Sequence, residues 1–144
     1  MAARKALSPA LRSLASGKIN EDVVVPVTQV PALVRFVEEL SRESGLRIVS
    51  FGHIGNGNVH VNVMYDKADP AQTERAEACA EKLFAEVLRL GGTLSGEHGI
   101  GMAKKAFMRQ AFNPETLNAM RAIKQLFDPD GILNPGKTLP DSDA

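Results

Sequence analysis

At 144 residues the chain fits one domain, long enough to bury a core without disulfide staples or a structural metal. Its 17 basic and 17 acidic residues cancel and form no block of one sign, which argues against a nucleic-acid or charged-membrane binder and leaves small-molecule chemistry as the expectation. Cys79 is the single cysteine, so a disulfide framework is excluded, a reducing compartment is expected and Cys79 reads as a structural residue. No apolar run reaches signal-peptide or transmembrane length, and the expected location is the cytoplasm.

Residues 4–15 read as a weak helix interrupted by Pro9. Val23 to Val27 is a β-branched run that predicts a buried strand. Thr28 can cap a following helix, with Pro31 in its first turn, Leu33, Val34, Val37 and Leu40 as its apolar stripe and Gly45 as its stop. Leu46 to Ile54 and Val59 to Tyr65 predict two further strands. Asp69-Pro70 opens a second helix that runs to Gly91-Gly92, and Thr93 to Ser95 predicts a short fourth strand. A third helix, capped by Asn113 with Pro114 behind it, runs to about Phe127 and is followed by a loop from Asp128 to Lys137. The order strand, helix, strand, strand, helix, strand predicts an α+β fold: a ferredoxin-like antiparallel sheet with helices on one face, plus C-terminal helices.

All three histidines fall in two glycine-rich runs, Phe51-Gly52-His53-Ile54-Gly55-Asn56-Gly57-Asn58-Val59-His60 and Gly96-Glu97-His98-Gly99-Ile100-Gly101. If Asn56-Gly57 is a type I′ turn, Gly55 pairs with Asn58, Ile54 with Val59, and His53 with His60. Directly paired residues hold their Cβ atoms about 5 Å apart, a separation from which two imidazoles can converge on one ion. Asn62 shares that face, while Val59, Val61 and Val63 point toward the helices. Two histidines leave a metal short of ligands, and Glu97, hemmed by glycines, is the candidate carboxylate. Two histidines and one carboxylate leave positions open for substrate oxygens, with zinc the first expectation and manganese or another divalent ion behind it. The bland readings are a cross-strand histidine pair that only hydrogen-bonds, and a His98 satisfied by turn backbone.

The runs Gly52-His53-Ile54-Gly55-Asn56-Gly57-Asn58-Val59-His60-Val61-Asn62, Ser95-Gly96-Glu97-His98-Gly99-Ile100-Gly101 and Phe127-Asp128-Pro129-Asp130-Gly131-Ile132-Leu133-Asn134-Pro135-Gly136-Lys137 stand here in one order. In this the chain resembles the C-terminal domain of FAD-linked 2-hydroxy acid oxidases and dehydrogenases, over about Arg4 to Leu139. The resemblance implies a substrate domain over residues 1–140 and an FAD-binding domain that this chain lacks and must meet in cis or in trans; the polar end at 141–144 reads as a disordered tail.

It further implies that His53, His60 and Glu97 bind the metal, that His98 is the general base, and that Arg4 and Asn62 contact the substrate. Asn134 and Lys137 would approach the flavin. Some relatives carry a lysine just before the first strand, where this chain has Lys18-Ile19-Asn20. The implied reaction oxidises a small D-2-hydroxy acid of the lactate, glycolate or 2-hydroxyglutarate type, with hydride transfer to FAD, and the domain alone would be inactive. The resemblance names no electron acceptor. It allows peripheral membrane association through an electron-transfer partner, and homo-oligomerisation through the apolar face meant for the flavin domain. The rival readings from the residues alone are a free-standing metal hydrolase and a non-catalytic ferredoxin-like binding module.

Overall fold

The computed structural model of the protein describes residues 10, 11 and 13–141; Arg4, most of the expected N-terminal helix and the tail after Asp141 lie outside them. Three strands, β1 (Gly17–Val24), β2 (Arg47–His53) and β3 (Asn58–Tyr65), form an antiparallel sheet in the order β1-β3-β2. Two long helices, α1 (Val30–Ser44) and α2 (Pro70–Arg89), cover one face, and α3 (Met108–Ala111) and α4 (Pro114–Phe127) follow. This bears out the α+β, ferredoxin-like expectation.

The apolar alternation decides which face is covered. Val59 and Val61 of β3, 3% and 0% exposed, pack with Leu33 and Val37 of α1 and Leu83, Phe84 and Val87 of α2, while Val63, 0% exposed, packs with Leu40 of α1 and Ala76 of α2. Cys79 lies buried in the same layer, as a structural cysteine should. The opposite face carries Asn20, Asp22, Asn58, His60, Asn62 and Phe51, set there by the register of the two ladders.

Helix starts follow local chemistry. The Asp69 side chain accepts from the N–H groups of Ala71 and Gln72, and Asn113 accepts from Thr116, so the expected caps of α2 and α4 are in place. Thr28 is not the cap of α1: Val27–Gln29 forms a 3-10 turn and Gln29 takes the cap position without a side-chain bond. Gly45, at φ 67°, ends α1 as expected.

Three expectations about the sheet need correction. The first strand runs from Gly17 to Val24, not from Val23 to Val27, so Asn20-Glu21-Asp22 are strand residues. It stops because the Val25 N–H turns to the Gly57 carbonyl (3.1 Å) and Pro26 has no donor for the ladder.

The fourth strand is a single bridge from Thr93 to Val24. Beyond it the backbone finds side chains instead of a ladder. Leu94 O accepts from Lys104 Nζ, and the N–H groups of Gly96, Glu97 and His98 donate to Asp22.

The histidine hairpin is offset by two residues. His53 pairs with Asn58 and Phe51 with His60, because the loop is a four-residue turn, Ile54 to Gly57, closed by Gly57 N–H to Ile54 O at 3.1 Å. A two-residue offset preserves the side-chain face, so the two imidazoles remain neighbours on a diagonal. Gly57 sits at φ 79°, and a Cβ there would lie 1.9 Å from Val25 O. Gly57→Ala should therefore lower stability by more than about 1 kcal/mol in urea unfolding.

Candidate metal centre

At the end of the hairpin, His53 Nε2 lies 3.1 Å from Glu97 Oε1. One donor atom each from His53, His60 and Glu97 falls within 4.8 Å of the other two. The rings of His53 and His60 meet edge-on at 6.0 Å between centroids, and His98 stacks on His60 at 5.4 Å. Phe51, the true cross-strand partner of His60, borders it at 5.8 Å. Two imidazoles and a carboxylate are the donor set of an open, catalytic zinc site, so these residues fit a divalent ion in kind and number. The site is partly open: the His53 and Glu97 side chains are 37% and 50% exposed, that of His60 14%.

Glu97 and His98 belong to a loop without regular structure, and Asp22 holds it. The Asp22 side chain is fully buried. Its Oδ2 accepts the N–H groups of Gly96 (2.9 Å), Glu97 (2.6 Å) and His98 (2.8 Å), as well as the Ser95 hydroxyl (3.2 Å). Its Oδ1 accepts from Asn58 Nδ2 at 2.9 Å and lies 3.8 Å from His60 Nδ1. Burial alone would push this carboxyl up. The N–H groups of His98 and Glu97, the Asn58 amide and the Gly96 N–H outweigh it and hold the group well below the ordinary carboxylate range.

Behind the loop, Lys104 is buried with its Nζ 3.5 Å from Glu21 Oε2 and donates to the carbonyls of Asp22 (2.8 Å) and Leu94 (2.7 Å). One ammonium thus ties β1 to the segment that enters the loop. Burial pushes Glu21 up and Lys104 down, each countered by the other's charge.

Residues 1–138 match the model of the family "FAD linked oxidases, C-terminal domain". The chain belongs to this family. It is 38% identical over 135 residues to glycolate oxidase subunit GlcD of Bacillus subtilis, an alignment covering 94% of this chain and 29% of that protein. It is 38% identical to D-2-hydroxyglutarate dehydrogenase of Stutzerimonas stutzeri over 122 residues (82% and 26%), and 39% identical to D-lactate dehydrogenase of Archaeoglobus fulgidus over 119 residues (82% and 26%). The chain therefore spans less than a third of each. Among solved structures it is similar to 4-ethylphenol oxidase from Gulosibacter chungangensis, with TM-score 0.62 and 22% identity over 85% of this chain and 24% of that one. That likeness concerns the fold.

Within this FAD-linked oxidase domain the remaining expected site residues that are described fall at two places. Asn62 lies on the histidine face opposite Asn20, fully buried, with Nδ2 donating to Val49 O at 3.2 Å. Its Oδ1 has no hydrogen-bond partner among the described residues. Asn134 and Lys137 sit on the C-terminal loop, which docks beside the His98 loop: Thr138 N–H donates to Gly101 O at 2.7 Å, and Lys137 Nζ lies 2.8 Å from Met102 Sδ. Asp128 shapes that loop by accepting the N–H groups of Ile132 and Leu133. Arg4 lies outside the described residues. Lys18 and Asn20 are both within β1, opposite Met64 and Asn62.

Asp22, Glu21, Lys104 and Ser95 are the site-building residues that the sequence reading misses. A signal for two of them is present. Extending the alternation back from Val23 places Glu21 on the core face, and an acid there calls for a buried cation.

Proposed function

We propose that this chain is the substrate- and metal-binding domain of a flavin-dependent dehydrogenase that oxidises a small D-2-hydroxy acid to the 2-oxo acid. The observation that carries the reading is the convergence of His53, His60 and Glu97 beside the stacked ring of His98. The names of the relatives, with glycolate, D-lactate and D-2-hydroxyglutarate among them, support the substrate class.

His53, His60 and Glu97 would hold a divalent ion, zinc in the first instance. Such an ion supplies Lewis acidity, lowering the pKa of a substrate hydroxyl. His98 would take that hydroxyl proton on its ring, and FAD, when bound, would supply the hydride acceptor for C2. Arg4 would pair with the substrate carboxylate in two-pronged fashion, and Asn62, whose buried Oδ1 has no hydrogen-bond partner among the described residues, would line the substrate side of the site.

FAD would be held mainly by a flavin-binding domain outside these 144 residues, in cis or in trans. A docking face suits it: Ile123, Leu126, Phe127, Ile132 and Leu133 on α4 and the following loop are all more than half exposed, next to Asn134 and Lys137. No helix among the described residues is long and apolar enough to cross a membrane. We place the enzyme in the cytoplasm, in keeping with its lone buried thiol.

The test is to fuse the chain to the flavin-binding part of the B. subtilis relative and follow flavin bleaching under anaerobic conditions. D-2-hydroxy acids should bleach the fusion, and the isolated chain should oxidise none of them. Ester or peptide hydrolysis by the isolated zinc-loaded chain would instead establish a metal hydrolase and overturn the proposal.

A further inference from the structure

We infer that Asp22 is the positioning residue of the metal centre: its one carboxylate sets Glu97, His60 and His98 relative to one another. The inference rests on the metal reading proposed above. Its basis is a division of labour between the two oxygens of a fully buried side chain. Oδ2 gathers three successive backbone N–H groups, those of Gly96, Glu97 and His98, with the Ser95 hydroxyl as a fourth donor. Successive N–H groups turned to one side form an anion-binding concavity, and here the anion is built into the chain. The loop has no ladder of its own, so this carboxylate fixes where the Glu97 and His98 side chains leave the backbone.

Oδ1 does the other half. It lies 3.8 Å from His60 Nδ1 and accepts from Asn58 Nδ2 at 2.9 Å. An imidazole whose Nδ1 edge is held toward a carboxylate presents Nε2 to an ion in a fixed orientation and with raised basicity. Gly96 allows the approach, because a Cβ there would lie 2.1 Å from Asn58 Nδ2 and 3.0 Å from Asp22 Oδ1. Asp22 therefore couples β1, which carries it, to β3, which carries His60, and to the loop that carries Glu97 and His98.

A purely structural Asp22 would matter for stability and leave metal affinity alone. The two roles separate by titrating zinc into the wild-type chain, into Asp22→Asn, and into Leu83→Ala, a core variant destabilised on the opposite, helix-covered face of the sheet. Asp22→Asn should bind zinc about 10–100-fold more weakly, the range for loss of an outer-sphere partner. Leu83→Ala should bind as wild type does once folded. With cobalt in place of zinc, the visible spectrum of Asp22→Asn should also change shape, reporting altered coordination, whereas that of Leu83→Ala should not.

Equal zinc affinity in wild type and Asp22→Asn would overturn the positioning role while leaving the metal reading intact. No zinc binding by the wild type would overturn both. Should Asp22→Asn fail to fold, amide exchange in the wild type decides: the N–H groups of Gly96, Glu97 and His98 should be protected although the loop side chains are exposed. Exchange at free-loop rates would end the proposal.

Discussion

Lys104→Ala is expected to lower folding stability by about 3–5 kcal/mol, the cost of removing one partner of a buried ion pair and leaving the other charge uncompensated. Glu21 has nowhere to go. It is 8% exposed on the core face of β1, with Lys104 as its ion-pair partner. The same substitution strips a donor from the carbonyls of Asp22 and Leu94, both away from water. Urea unfolding of the single variant and of Glu21→Gln/Lys104→Met separates these contributions. The double variant removes both charges and should recover much of the loss, since a buried pair replaced by neutral side chains of similar size is often tolerated. A loss below about 1 kcal/mol in Lys104→Ala would mean that water reaches Glu21 and that the pair does not brace the loop.

In the flavin-loaded enzyme, His98→Ala should reduce kcat by about 10²–10⁴, the usual contribution of a positioned general base, with zinc affinity close to wild type. The two effects can part because His98 is fixed through its backbone N–H, which donates to Asp22 at 2.8 Å and survives loss of the ring. His60→Ala should behave differently, losing zinc and turnover together. Steady-state kinetics alongside zinc titration reads both. If His98→Ala also lost its zinc, His98 would be a ligand and the proton acceptor would have to be sought elsewhere.

The helices are legible in the sequence because their signals are local. Asp69-Pro70 and Asn113-Pro114 carry a capping side chain and a first-turn proline within two positions, and both helices begin there. The covered sheet face is legible for the same reason: Val59, Val61 and Val63 alternate without interruption. Register is another matter. Asn56-Gly57 favours a two-residue turn, but Gly57 packs against the backbone of Val25, more than thirty positions earlier, and the turn widens to four residues. The diagonal histidine pair survives that change because an offset of two preserves side-chain parity.

Asp22 is the harder case. Nothing adjacent to it marks a loop organiser, and the groups it holds lie 74, 75 and 76 positions away. The polar run Asn20-Glu21-Asp22 looks like a lead-in to a strand; its membership in the strand depends on Asn62, Val61 and His60 lying opposite. The shortened fourth strand has the same origin, since side chains from Asp22 and Lys104 take the backbone groups that a ladder would have used.

A metal ion held by His53, His60 and Glu97 underlies the proposed chemistry. The most direct measurement is zinc stoichiometry of the purified chain by elemental analysis after dialysis, with far-UV circular dichroism recorded on each sample. One zinc per chain is predicted for wild type and for His98→Ala, and none for His60→Ala or Glu97→Gln at unchanged ellipticity. No zinc in the wild type, or full zinc in both ligand variants, would contradict it.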